Sequence, residues 1–214
     1  MKIGVFGCSF VAGVWPTNYN LAAAIADKCP QHNVYDYSMG GHSMQMINYL
    51  FQKFKHDHDF NIIKVTSPGR LNFFSEYDFK NKREWKSDNF NTWEFPEEYG
   101  RHIVRMNYTS SPNSVASPYT LKSVKKLHKL LYSHINEEIA NLENAALQNY
   151  LQTQADYVWG HRHYYYYDSK YHNGIALTNQ FLPKFKSYVI DNGDHLNQEG
   201  INLEADWIIK NALS

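Results

Sequence analysis

Strands alternating with helices predict a three-layer α/β/α sandwich on a central parallel sheet of about five strands. Three observations carry that expectation. Short apolar runs at 2–6, 33–37 and 61–66 each lead into glycine or proline. Segments of helical period lie between them, the order that builds βαβ units. The chain has 214 residues, enough for one well-filled domain and short for two.

Taken in order, Lys2–Phe6 predicts a buried first strand and Gly7–Gly13 the loop after it. Leu21–Lys28 predicts a short Ala-rich helix stopped before Pro30. Asn33–Tyr37 is the second strand, ended by Gly40-Gly41. Ser43 caps a helix whose face carries Ile47, Leu50, Phe51 and Phe54. Asn61–Thr66 is the third strand, broken at Pro68-Gly69. From about Arg70 to Ser117 the rhythm stops, in a stretch rich in Asn, Phe, Trp and Tyr. So long a run without period reads as a functional insert or lid within a single domain spanning 1–214. Trp85, Phe90, Trp93 and Phe95 would give it an apolar or stacking wall beside the mouth of a site. Ser117-Pro118 then opens a long helix, with Val124, His128, Leu131, Ile135, Ile139, Leu142 and Ala146 expected inward. Asp156–Trp159 is a fourth strand, and Ser187–Ile190 a fifth strand or the approach to a loop. Gln198–Leu213 closes the chain as a helix with Ile201, Ala205, Ile208 and Ala212 inward.

Lysine plus arginine equals aspartate plus glutamate, 21 each, so nothing in the charge argues for nucleic acid or an anionic membrane, and neither is expected as partner. Aromatic residues reach 16%. They serve either as ordinary core filling or as surfaces for sugar stacking and protein contact. Two cysteines, Cys8 and Cys29, make no disulfide framework and read as reduced and buried. The run from Ile3 to Trp15 imitates a signal peptide, but a single lysine precedes it and Cys8 comes too early for a full hydrophobic region. A first strand running into a loop explains it better. With no apolar run of about 18 residues, the expectation is a cytoplasmic protein.

Two segments carry candidate chemistry. Gly7-Cys8-Ser9-Phe10-Val11-Ala12-Gly13 puts a serine in a Gly-flanked turn directly after the first strand. A serine hydroxyl attacks a carbonyl only if a base takes its proton and fixed donors meet the oxyanion. The carboxyl end of a parallel strand is also where open α/β sheets place ligands. The spacing alone also fits an anion-binding turn or a plain strand-to-helix connection. The second segment, Asp191-Asn192-Gly193-Asp194-His195, precedes the last helix. A histidine between acidic residues and a helix start is oriented, as a general base must be.

Together these segments resemble the SGNH (GDSL-like) hydrolase family. Its first block is a Gly-Asp-Ser turn after strand one, and its last an Asp-x-x-His turn before the final helix. Both have counterparts here, in the right order and at opposite ends of the chain. The resemblance implies an SGNH/flavodoxin-like fold, Ser9 as nucleophile and His195 as base, with no cofactor and no metal. The family's second block donates a glycine N–H to the oxyanion. Tyr37-Ser38-Met39-Gly40-Gly41 occupies that place, Gly41 first and Gly40 next. Three departures stand out. Cys8 replaces the aspartate of the first block. The third-block asparagine is absent from Thr66-Ser67-Pro68-Gly69-Arg70, so Ser67 or Arg70 would donate or bind substrate instead. Family spacing places Asn192, not an acid, three residues before His195, which leaves Asp191, then Asp194, then Asn192 as candidates to orient the ring.

His161-Arg162-His163 and His56-Asp57-His58-Asp59 have ligand-like spacing without further converging partners, and read as structural or solvated. Tyr164–Tyr167, which follow, fit edge or loop packing. The implied activity is that of an esterase or acyl hydrolase acting on a small or glycan-linked ester. The competing reading is a catalytically weak domain of the same fold that binds glycan or protein through its aromatic insert. Neither the oligomeric state nor the acyl group is legible.

Overall fold

The computed structural model describes residues 1–12, 19–38, 42–66, 70–74, 102–107, 126, 129–130, 137–160, 178, 182, 184–190 and 195–213; for 70–74, 102–107 and 137 only the backbone is described. Its central sheet is parallel, in the order β2-β1-β3-β6, with β1 Lys2–Gly7, β2 Asn33–Ser38, β3 Phe60–Val65 and β6 Tyr157–Gly160. β1 sits in the middle, its Val5 opposite Asp36 of β2 and Ile62 of β3. The chain first crosses from β1 out to β2, then back over β1 to β3. The carboxyl end of β1 is therefore the point where strand order reverses, the crevice in which such sheets bind ligands.

Alternation along β1 and β3 feeds two cores, one on each face. Ile3, Val5 and Ile62 join Leu21 and Ile25 of α2 (Leu21–Lys28) and Ile201, Ala205 and Ile208 of the last helix, α5 (Gln198–Ile208). Phe6, Ile63 and Val65 join Met44, Ile47, Leu50 and Phe51 of α3 (Met44–Phe54) and Leu151 of α4 (Glu137–Gln152). Each large side chain so buried contributes about 1.5–3 kcal/mol. Helix starts follow the expected chemistry. Asn20 accepts from Ala23 N–H, Ser43 from Met46 N–H and Asn197 from Gly200 N–H, each satisfying an amide the first turn leaves open. Cys8 and Cys29 are both free and buried. No helix among the described residues is long and apolar enough to cross a membrane.

Four expectations are corrected. The stretch after β1 is not all loop: Ser9–Ala12 forms a helical turn, α1, in which Val11 and Ala12 N–H both donate to the Cys8 carbonyl. Of the two readings of Ser187–Ile190, the fifth strand does not form. Phe185–Tyr188 is a 3₁₀ turn, and only Val189 bridges, antiparallel, to Leu196. The main sheet thus has four strands among the described residues instead of about five. The insert after strand three contributes regular structure, an antiparallel pair of β4 (Arg70–Phe74) with β5 (His102–Asn107). Trp85, Phe90, Trp93 and Phe95 lie outside the described residues, as does the start of the long helix at Ser117-Pro118.

The fourth correction concerns the face of α4. Ile139 and Leu142, expected inward, are 55% and 49% exposed, while Ala140, Asn144, Gln148 and Leu151 are buried. The reason is polar. α4 lies over the carboxyl end of β3, and Asn144 Nδ2 donates to the Thr66 carbonyl at 3.2 Å. A strand end buried under a helix needs such a donor, so a polar stripe wins over the apolar one.

Candidate active site

Ser9 opens α1 at the switch point of the sheet, and the turn around it is fixed by close packing. A Cβ on Gly7 would stand 2.4 Å from Val11 Cγ2, so only glycine lets α1 fold back onto the strand end. His42, fully buried just before α3, donates from Nδ1 to the Gly7 carbonyl at 3.0 Å. Thr66 Oγ1 donates to Cys8 Sγ at 3.0 Å. Lys64 Nζ donates to the Phe10 carbonyl at 3.3 Å.

His195 arrives from the other end of the chain. Its carbonyl accepts from Ile190 N–H at 2.9 Å, and Asn197 N–H donates to the Tyr188 carbonyl at 2.7 Å, flanking the Val189–Leu196 bridge. Gly200 permits this close approach, since a Cβ there would meet Tyr188 Cβ at 2.8 Å. The result brings His195 Nε2 to 2.8 Å from Ser9 Oγ, across 186 residues of sequence. The Phe10 ring packs beside the imidazole, centroids 5.1 Å apart. Both Ser9 and His195 are partly exposed.

Of the other candidates, Gly40, Gly41, Ser67, Asp191, Asn192 and Asp194 lie outside the described residues. Arg70 begins β4, and its side chain is likewise not described. The segment that leads to Gly40-Gly41 is held from β2: Asp36 accepts from Ser38 N–H at 2.8 Å, from the Ser38 hydroxyl, and from Asn20 Nδ2 at 2.9 Å. Burial pushes the Asp36 carboxyl up to about 6, against the lowering effect of these bonds.

Sequence reasoning missed a group directly beneath α1. Lys64 and Glu204 are fully buried and paired, Nζ lying 2.6 Å from Oε1 and 2.7 Å from Oε2. Trp159 Nε1 donates to Glu204 Oε1 at 2.9 Å and Thr178 Oγ1 at 2.6 Å. Burial pulls the Lys64 pKa down, and the adjacent carboxylate opposes that pull. A signal for this pair existed. Lys64 stands between Ile63 and Val65 in a buried run, and Glu204 falls on the inward spacing Ile201, Ala205, Ile208 of the last helix.

No family model and no curated protein matches the sequence. Among solved structures, the chain is similar to a lipase/acylhydrolase from Enterococcus faecalis, at 12% identity and a TM-score of 0.48, over 98% of this chain and 93% of that one. It is similar to a GDSL-like lipase from Bacteroides thetaiotaomicron at 9% identity and a TM-score of 0.44, over 98% and 86%. A third similarity, 14% identical with a TM-score of 0.41 over 99% and 97%, is to a member of the lipolytic protein G-D-S-L family from Veillonella parvula.

Proposed function

We propose that the chain is a serine hydrolase of SGNH type, an esterase or acyl hydrolase acting on a small or glycan-linked ester. The observation that carries this reading is the 2.8 Å contact between Ser9 Oγ and His195 Nε2 at the switch point of the sheet. His195 takes the hydroxyl proton as Ser9 Oγ bonds to the ester carbon. The resulting oxyanion would meet the Ser9 N–H, left open by the first turn of α1, and the N–H of Gly41, with Arg70 as a further donor. His195 then returns the proton to the departing alcohol. Water, activated by the same imidazole, releases the acid from the acyl-serine. Asp191, with Asp194 and Asn192 behind it, would orient the ring, and Ser67 and Asn192 would contact substrate.

The test is hydrolysis of p-nitrophenyl acetate by the purified chain and by Ser9→Ala, alongside labelling by a fluorophosphonate. Loss of a nucleophile of this kind commonly costs several orders of magnitude in rate. The expected result is turnover that disappears in Ser9→Ala, with label on Ser9 alone. Equal turnover in the two proteins refutes the mechanism.

A further inference from the structure

The proposed chemistry uses none of the charge buried beneath α1. Lys64 shares the face of β3 with Ile62, where the core is otherwise hydrophobic. Both it and Glu204 have no solvent exposure. A buried ion pair is rarely more stable than apolar side chains of similar volume, so stability alone does not account for it. Its connections do. The ammonium has three N–H groups and reaches three oxygens: both of the Glu204 carboxylate, and the Phe10 carbonyl. Phe10 follows Ser9 in the nucleophile turn, and its ring lies against the His195 imidazole. Glu204 belongs to α5, the helix that starts directly behind His195, and Trp159 and Thr178 lock its carboxylate from β6 and beyond.

We propose that Lys64 and Glu204 are positioning residues whose ion pair fixes α1 against α5 and so holds Ser9 Oγ within bond reach of His195 Nε2. The proposal rests on Ser9 and His195 being the reacting pair. A displacement of about 1 Å between such groups is enough to cost about a hundredfold in rate.

The experiment uses the full chain with both charges removed together, Lys64→Met/Glu204→Leu, so that neither is left buried alone. Three quantities are read: melting temperature, kcat and KM on p-nitrophenyl acetate, and the ¹⁵N resonance of His195 Nε2. That resonance is assigned with His195→Asn, and Ser9→Ala gives its position when the bond is missing. We expect a folded protein whose kcat falls about a hundredfold while KM stays near the wild-type value. Its His195 resonance moves to the position seen in Ser9→Ala. A folded double variant with wild-type kcat and wild-type resonance overturns the proposal. If this variant does not fold, Lys64→Met/Glu204→Gln, which keeps an acceptor for Trp159 and Thr178, is read in the same way. Failure of both to fold makes the pair a requirement of the fold and also overturns it. Wild-type protein without turnover, but with a Ser9-dependent His195 resonance, refutes the hydrolase reading alone, and the resonance of the double variant still decides positioning. A wild-type resonance identical to that of Ser9→Ala sinks the positioning role outright.

Discussion

Replacing Gly7 by alanine tests how tightly the turn that carries Ser9 is built. The added methyl would lie 2.4 Å from Val11 Cγ2 and 2.9 Å from Val11 Cβ, whereas carbon atoms rest at about 3.5–4.0 Å. Rotating Val11 about χ1 swings Cγ2 away but leaves Cβ where the backbone puts it. Even after that rotation, α1 must move about 0.6 Å to restore a normal contact. Val11 is 1% exposed, so the movement is resisted by packing on every side. Overpacking of this kind costs about 1–3 kcal/mol, or roughly 2–12 °C of melting temperature for a chain this long. Ser9 rides on the same turn, so the shift also separates Oγ from His195. We expect Gly7→Ala to lower kcat on p-nitrophenyl acetate by roughly ten- to a hundredfold. Val11→Ala, added to it, removes the nearest overlap. The double variant should be less damaged than the two single changes summed, by roughly 0.5–3 kcal/mol of coupling in urea unfolding. Gly7→Ala with wild-type kcat and wild-type melting would refute this account of the turn.

Two further outcomes follow from the buried polar groups. Glu204→Leu leaves the Lys64 ammonium buried without its partner, and should cost about 3–5 kcal/mol in urea unfolding; a loss under about 1 kcal/mol contradicts the reading, and Lys64→Met in the same chain should restore much of the loss. His58, which meets the Tyr37 hydroxyl at 2.9 Å, has its pKa lowered, chiefly by burial. The unfolded chain therefore binds this proton more readily, so His58 lowers stability as pH falls through about 6.5. Wild type minus His58→Phe, compared by unfolding from pH 8 to 5, should show that acid loss. Parallel curves would count against it.

Period and punctuation made most of the fold legible. Lys2–Phe6, Leu21–Lys28 and Asn33–Tyr37 were set by apolar runs ending in glycine, proline or a cap, and the observed elements match them to within a residue. What period could not show was competition between satisfying polar groups and burying apolar ones. The Ile139–Leu142–Ala146 stripe of α4 has a regular helical period, yet Asn144 and Gln148 face inward, because the Thr66 carbonyl sits beneath that helix. Ser187–Ile190 read as either a fifth strand or the approach to a loop, and a 3₁₀ turn ending at Tyr188 leaves room for one bridge only. In the site, Ser9 and His195 stood out in two turns at opposite ends of the sequence, and their side chains meet at 2.8 Å. Lys64 and Glu204 were not sought, because charge in a strand or helix is ordinarily read as solvent-facing.

The geometry around Ser9 also explains why cysteine can stand where the resembling family has aspartate. Cys8 has no solvent exposure, and its sulfur accepts from Thr66 Oγ1 inside the sheet. Its side chain thus serves packing, while its backbone carbonyl starts α1 by accepting from Val11 and Ala12. On either side, the Gly7 carbonyl is held by His42 and the Phe10 carbonyl by Lys64, from opposite faces of the sheet. Three anchors, Lys64 in β3, Thr66 directly after it and His42 before α3, therefore hold Gly7, Cys8 and Phe10 around the serine. The Ser9 hydroxyl, in contrast, reaches across the crevice to His195. A turn held this way can exchange an acid for a small buried thiol and keep its shape. The position beside the serine answers to volume and to the Thr66 donor.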